Sequence, residues 1–406
     1  MKNKKHTFAL VLIVFITLIS KLNASTFFSG YGGGKLNFGA NQASKKYDPD
    51  LTLQAFFAGQ FNFNQNMWVH TEISIDTEDL LSNTIFHGTN TVFQIDELSF
   101  IMRNNINEAT NYFSAYMGTY DPVGSDIFLQ RYFGIDPINS KITDSYLGMA
   151  GSILYPHFGL GISDVIKFYD QPLALGGYLY LNHEDKDYYV LNTDLRLATV
   201  LRYFTFDLAC GLGAPLSNKY KDNEDIIVAI DKLYWHMGTT MLIGNNYTTS
   251  LFIQAGLYNA SFTGRKNSMD WATDSIYILI EPRFVARNFH CNISLYSLPR
   301  DTVKKLLLVD DCIGFDVNLY NEECPIGSKK FTIGTHVSAS VKNKTLKDIV
   351  NTQNFMSDGI NFSIIPYIST DFLSGEMHAQ LAIKPIEFKN SFGHGFSFDL
   401  GYRTRF

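Results

Sequence analysis

Hydrophobic and polar residues alternate along most of this chain in segments of about ten residues. Between positions 67 and 76, Val69, Ile73 and Ile75 fall on one side of the alternation, and His70 and Glu72 fall on the other. Successive side chains of a β-strand point to opposite faces, so this pattern predicts strands with one apolar and one polar face. The pattern recurs near 26–38, 51–63, 67–76, 92–103, 109–120, 145–154, 157–168, 172–183, 188–199, 203–212, 232–243, 247–258, 273–286, 289–297, 310–320, 330–342, 360–372, 376–385 and 394–406.

The length of these segments separates two classes of β-protein. Strands of soluble proteins are usually about 5–6 residues long, whereas a strand that crosses a bilayer needs about 9–11. Alternating segments of the longer kind, separated by turn residues, are typical of a transmembrane barrel, and bacterial single-chain barrels have even strand numbers. We therefore predict an all-β fold, a single closed transmembrane antiparallel β-barrel of about 16–18 strands.

Composition agrees with a wall that has an apolar and a polar face. The chain has 406 residues, of which 46% are hydrophobic, yet its mean hydropathy is −0.04. The net charge of −6 argues against a nucleic-acid-binding protein. Amphipathic rings favour membrane interfaces, so aromatic residues near strand ends are expected there. These are Trp68, Tyr234, Trp235, Tyr258 and Tyr402.

Residues 1–24 have the features of a secretory leader. Three lysines among the first five residues precede an apolar run from Phe8 to Ile19. This run is shorter than the roughly 20 residues that a transmembrane helix needs. We expect 1–24 to be a signal peptide and 25–406 to form the barrel.

The last strand of the chain has an apolar face that ends in an aromatic residue. Its residues are Phe398, Leu400, Tyr402 and Phe406. This segment resembles the C-terminal strand of Gram-negative outer-membrane β-barrels, although Thr404 stands where that family usually has a larger apolar residue. The resemblance implies that these four residues are an assembly signal read by the barrel-assembly machinery. It also implies a location in the bacterial cell outer membrane, in contact with its lipid.

The polar faces of the predicted strands carry charged side chains that would line a water-filled lumen. Rings of charged side chains set the ion preference of pores, and a surplus of acids raises the local concentration of cations. The predicted pore-lining residues are Glu72, Asp76, Asp96, Glu281, Arg283, His336, Lys342, His378 and Lys384.

The longest connection, 121–144, is too irregular for a strand and interleaves acidic and basic residues. In size and mixed charge it resembles the constriction loop of general porins. The resemblance implies that the loop folds inward and narrows the passage, and an ordinary surface loop is the alternative. Its charged residues are Asp126, Arg131, Asp136, Lys141 and Asp144.

Together these features predict an outer-membrane pore for passive diffusion of small hydrophilic solutes or ions. A substrate-specific channel for sugars or hydrophobic solutes is the first alternative, since Tyr31, Phe252 and Tyr367 are among the aromatic residues expected in the lumen. An outer-membrane adhesin or enzyme is a further alternative. General porins are commonly trimers, so the resemblance leaves a homo-oligomer open.

Motifs for catalysis or for metal and cofactor binding do not stand out. The four cysteines match no zinc-site spacing, and no Gly-x-Ser-x-Gly sequence occurs. We therefore predict no enzyme activity, no metal and no cofactor. An exported protein can form disulfides, and Cys312 with Cys324 would close a hairpin loop; free thiols are the alternative.

Overall fold

A computed structural model of the protein describes residues 28–40, 48–81, 91–143, 154–185, 188–216, 233–263, 268–270, 275–303, 306, 308–350, 355–356, 358–389 and 392–406. The predicted leader and Asp144 of the predicted constriction loop lie outside these residues. No helix in the described ranges is long and apolar enough to cross a membrane.

Long strands dominate these ranges, as the alternation predicts. The strands are β1 (Phe28–Ala40), β2 (Pro49–Asn64), β3 (Met67–Thr77), β4 (Thr91–Ile106), β5 (Ala109–Val123), β6 (Tyr155–Phe168), β7 (Leu173–Asp185), β8 (Tyr188–Leu201), β9 (Phe204–Leu216), β10 (Tyr234–Ile243), β11 (Ser250–Thr263), β12 (Ser268–Asp270), β13 (Ile276–Ala286), β14 (Phe289–Ser297), β15 (Ile313–Ile326), β16 (Lys329–Val341), β17 (Ile360–Phe372), β18 (Gly375–Ile383) and β19 (Phe396–Arg405). The helices are α1 (Ile127–Phe133), α2 (Arg300–Val303) and 3-10 turns at Leu346–Val350, Pro385–Lys389 and Phe392–Gly395.

All these strands belong to one antiparallel sheet, which closes on itself. β1 pairs with β2 on one side and with β19 on the other, with Phe38 opposite Phe398. The three-residue β12 pairs with the end of β11, while β11 also pairs directly with β13. Eighteen strands therefore form the closed wall, and the prediction of a closed all-β barrel is confirmed.

The connections alternate between short and long. Pairs of residues join the strands at 65–66, 107–108, 202–203, 287–288, 327–328 and 373–374. Both residues of the last turn, Leu373 and Ser374, have positive φ (46° and 64°), as a type I′ hairpin turn requires. At the opposite end of the barrel the connections are mostly long, and they include 78–90, 124–154 and 342–359.

Burial along the strands is the reverse of that in a soluble protein. On β8, Leu191, Leu195 and Leu197 are exposed to the outside, and Leu195 has 68% of its surface accessible. Asn192, Asp194 and Arg196, on the alternate positions, are buried inside the barrel. An apolar outer face suits lipid, and a closed sheet leaves no backbone polar group unpaired in hydrocarbon.

Three of the aromatic residues expected at the membrane interfaces, Trp68, Tyr234 and Tyr258, face inward instead. Trp68 shares a strand face with His70 and packs 6.4 Å from the ring of Tyr112. The ring of Tyr258 stacks 6.0 Å from that of the buried Tyr155. Tyr234 is two positions before the inward-facing His236 on β10. The interface prediction is wrong for these three residues because their register places them on the inner face.

Candidate functional site: the barrel interior

The predicted pore-lining residues divide into three groups by burial and position. Glu72, Glu281, Arg283 and His336 are nearly fully buried on their strands. Asp96 and His378 are partly buried on β4 and β18, and Asp76 is exposed near the end of β3. Lys342 and Lys384 follow directly after β16 and β18, where Lys384 pairs with Asp310 at 2.6 Å and Lys342 lies 3.9 Å from Glu387.

A β-bulge on β4 adds an inward-facing carboxylate that strict alternation hides. Glu72 lies opposite Glu97, but the next residue on β3, Ile73, lies opposite Ile95, so Asp96 is the extra residue. Gly118 on β5 accommodates the bulge with φ of 95°, because a Cβ there would lie 2.3 Å from the Asp96 carbonyl oxygen. As a result, Glu97 is only 1% exposed and accepts a hydrogen bond from the Ser99 hydroxyl at 2.6 Å.

Residues 121–143, here called the inner segment, begin in the last three residues of β5 and pack against the inner face of the wall. Helix α1 lies within it and ends at Gly134, which has φ of 66° and donates its N–H to the Gln130 carbonyl at 3.0 Å. Phe128 and Leu129 of this helix are completely buried. They belong to an apolar cluster that includes Tyr178 on β7 and Phe252 on β11.

Arg131 fixes one end of the inner segment by charge. Its Nη1 lies 2.7 Å from Asp121 Oδ1, and its Nη2 lies 3.0 and 3.2 Å from the two oxygens of Glu97. Burial disfavours the Arg131 cation, but the Glu97 and Asp121 carboxylates outweigh this effect and raise its pKa well above the ordinary value. The Tyr132 hydroxyl donates to Asp121, and burial together with that carboxylate raises the pKa of Tyr132.

The other end of the inner segment is held by β13. Ser140 donates a hydrogen bond to Glu281, and Arg283 donates to the carbonyls of Ile138 and Asn139 at 3.1 and 2.7 Å. β13 is eight strands from β4 around the ring of eighteen. The two anchors therefore lie on nearly opposite sides of the barrel, and the segment covers the wall between them.

The charged residues of the predicted constriction loop have different surroundings. Arg131 makes the ion pairs described above, and Asp126 is buried at the start of α1. Asp136 accepts a hydrogen bond from the exposed Tyr247 hydroxyl, and Lys141 is exposed.

Behind the inner segment lies a buried charge cluster that sequence reasoning missed. Asp194 on β8 lies 3.1 Å from His157 Nε2 and 2.9 Å from His236 Nε2, and all three side chains are 0–2% exposed. Next to it, Arg196 pairs with Asp207 at 2.6 Å and donates to the Asp121 carbonyl. Asp194, His157 and His236 lie on three different strands, so no short sequence motif could reveal that they meet. Arg196 and Asp207 compensate each other's charge in this buried region.

The inner face that the segment leaves uncovered is polar and partly open to water. Glu376 on β18 and Arg403 on β19 form an ion pair at 2.7 Å, with side chains 33% and 37% exposed. His378 and Gln380 follow Glu376 on the same face and are only partly buried. This open wall, formed by β15–β19 and β1–β3, combines partly exposed charges such as Glu376 and Arg403 with buried ones such as Asp316 and Asp399.

All four cysteines are free thiols, so Cys312 and Cys324 are not bridged. Cys312 precedes β15 and Cys324 lies close to the far end of the same strand. An extended strand of that length separates them by ~35 Å, whereas a disulfide needs Cα atoms within about 7 Å.

Comparison with known proteins finds similarity in solved structures alone. No protein-family model matches the sequence, and no curated protein matches it. A multiply substituted porin of Rhodopseudomonas blastica is similar at 12% identity over 93% of this chain and 99% of that chain, with a TM-score of 0.45. A triple mutant of that porin is similar at 11% identity and the same coverage, with a TM-score of 0.43. A structure described as an engineered protein of asymmetric conductivity has 11% identity, the same coverage and a TM-score of 0.45.

Proposed function

We propose that this chain forms a water-filled pore in a bacterial outer membrane, through which small hydrophilic solutes or ions diffuse passively. The observation that carries the proposal is the partly exposed, charged open wall inside a closed ring of eighteen strands. Barrels of about eight strands are filled by their own side chains, whereas barrels of about 16–18 strands have room for an aqueous channel. Glu376 and Arg403 face water on the inside of a barrel whose outside is apolar. Charged side chains in this position are expected to line such a channel.

The inner segment, in this proposal, sets the width of the passage. It is anchored at Glu97 and Glu281 on opposite sides of the ring, which supports a constriction. Of the predicted lining residues, Asp76 and His378 would meet the solute on the open wall, whereas His336 is 5% exposed and is paired with Asp316. A surplus of acids over bases in the chain favours cations over anions.

Membrane lipid and the barrel-assembly machinery are the proposed partners besides the solute. Phe406 packs with its ring 5.6 Å from that of Phe28 and 5.7 Å from that of Phe57, at the seam where the barrel closes. This position supports a role for the last strand in closing the barrel during assembly. A homo-oligomer stays a prediction.

Reconstitution of the purified barrel tests the proposal. In a planar bilayer we expect stepwise, ohmic conductance, and in liposomes we expect swelling with small sugars and none with large polysaccharides. The matched control is the same chain heat-denatured before reconstitution. Folded barrels that insert but leave vesicles impermeable to ions and sugars would refute the pore.

A selective channel for sugars is the second candidate, and two pairs of inward-facing rings, one across β14 and β15 and one across β17 and β18, favour it. His290 stacks on Tyr320 at 4.5 Å, and Tyr367 lies 5.6 Å from His378. Ring faces of this kind bind the apolar faces of sugars by stacking. Conductance that saturably decreases as a sugar is added would favour this candidate, whereas flux proportional to concentration favours passive diffusion.

A further inference from the structure

Three metal-ligating side chains meet on the inner face where β3 and β4 pair. His70 and Glu72 are two positions apart on β3, so they share a face, and Glu97 lies directly opposite Glu72. One donor atom from each lies within 4.8 Å of the other two, and this is the single group of its kind among the described residues. The paired strands and the bulge at Asp96 fix this arrangement without any loop.

The two carboxylates are held in place by hydroxyl groups from neighbouring positions. Tyr31 donates to Glu72 Oε1 at 2.5 Å, and Ser99 donates to Glu97 Oε1 at 2.6 Å. His70 Nε2 lies 3.0 Å from Glu72 Oε1. Hydrogen bonds of this kind orient carboxylates in metal sites and are a large part of what determines metal affinity.

The charges around the group do not balance. Glu72, Glu97 and Asp121 have side chains that are 5%, 2% and 0% exposed. Arg131 pairs with Glu97 and Asp121, and the neighbouring Arg196 is already paired with Asp207. The three carboxylates therefore share the one permanent positive charge of Arg131. Buried carboxylates are costly unless a cation compensates them. A divalent ion would supply the two positive charges that this group lacks.

An ion has a route to the group from the lumen. The side chain of His70 is 14% exposed and that of Arg131 is 15% exposed, whereas the carboxylates behind them are nearly closed off. A carboxylate has about four lone-pair positions, so Glu97 can accept hydrogen bonds from Arg131 and Ser99 and still bind an ion.

We propose that His70, Glu72 and Glu97 form a binding site for a divalent first-row transition metal ion such as Zn²⁺. One imidazole nitrogen with two carboxylate oxygens suits zinc, nickel or copper, whereas calcium and magnesium prefer oxygen donors alone. No sequence motif marks this site, because it depends on a cross-strand register and a bulge. Metal binding here does not depend on whether the barrel conducts.

Calorimetry on the full barrel tests the site directly. The chain, without a polyhistidine tag, is folded in detergent micelles, stripped with chelator and titrated with ZnCl₂. We expect one equivalent to bind. Losing a residue that only hydrogen-bonds to a metal ligand typically weakens metal binding about 10–100-fold. His70→Ala and Glu72→Gln each remove a direct ligand, so each should weaken Zn²⁺ binding by at least about 100-fold.

The matched control is His336→Ala. This inward imidazole lies 2.9 Å from a single carboxylate, Asp316, and its loss should leave Zn²⁺ affinity unchanged. Heat-dependent gel mobility checks that each variant forms a barrel, and if His70→Ala does not, Glu72→Gln carries the same test. A wild-type barrel that takes up no Zn²⁺, or variants that bind it as well as wild type does, would overturn the proposal. An equal loss of affinity in His336→Ala would also overturn it.

Discussion

Replacing Arg131 by methionine tests whether charge holds the inner segment against the wall. Methionine keeps much of the side-chain length and removes the cation that Glu97 and Asp121 share. Those carboxylates are 2% and 0% exposed, so they cannot regain full hydration. Removing one partner of a buried ion pair costs about 3–5 kcal/mol, because the remaining charge is left uncompensated.

Apolar packing should keep the inner segment in place when the Arg131 charge is removed. Phe128 and Leu129 stay completely buried, and each contributes about 1.5–3 kcal/mol to docking of the segment. We therefore expect Arg131→Met to lower the free energy of unfolding by about 3–5 kcal/mol while the barrel still forms. Urea unfolding in phospholipid vesicles, followed by tryptophan fluorescence, measures this loss.

A neutral background separates charge from packing. In a chain carrying Glu97→Gln and Asp121→Asn, the carboxamides need no cation, so Arg131→Met should cost only about 1–2 kcal/mol. Arg202→Met is the matched control, since this arginine is exposed in a two-residue turn and should matter by less than about 0.5 kcal/mol. An equal loss in the charged and neutral backgrounds, or a loss no larger than that of Arg202→Met, would refute the reasoning.

Three further changes test the wall, the open face and the seam. Gly334→Ala should lower the free energy of unfolding by about 1–3 kcal/mol, because the added Cβ would lie 2.4 Å from the ring of Tyr367. Gly177→Ala is the control: its Cβ would meet nothing within 4 Å, so it should be neutral in the same urea titration. Glu376→Lys should shift the zero-current potential in a salt gradient towards anion preference, since it replaces a partly exposed acid beside Arg403; an unchanged potential would place this pair outside the ion path. Phe406→Ala should slow folding into vesicles, measured by heat-dependent gel mobility, and folding at the wild-type rate would contradict a role in closing the seam.

The wall of the barrel is readable from sequence because lipid imposes a strict rule on each strand. The alternation of Leu195 and Leu197 with Asp194 and Arg196 is enough to assign both faces of β8. The ring of eighteen lies within the predicted range of strand numbers, but alternation alone could not choose the number. Nothing in the pattern of one strand reports which strands pair to close the ring.

The interior is harder to read, because its contacts join distant parts of the chain. A strict period of two places Glu97 on the lipid side, so the sequence prediction missed it. The signal in the sequence was Gly118, the glycine that accommodates the bulge on the neighbouring strand. Asp194 contacts His157 and His236, which lie about 40 residues before and after it in the chain. Barrel curvature brings these three side chains together. Residue type therefore predicted that charges face inward, and the fold decided which of them meet.

The position of the inner segment changes what the inward charges do. Glu281 and Arg283 were predicted to line a passage, yet both are buried and hold residues 138–140 in place. Mutating Glu281 or Arg283 should therefore change the free energy of unfolding more than it changes ion preference. Glu376, on the uncovered half of the ring, has the exposure that a lining residue needs. Ion preference in this barrel should therefore depend on the open wall, and the charges beneath the segment should determine how wide the passage stays.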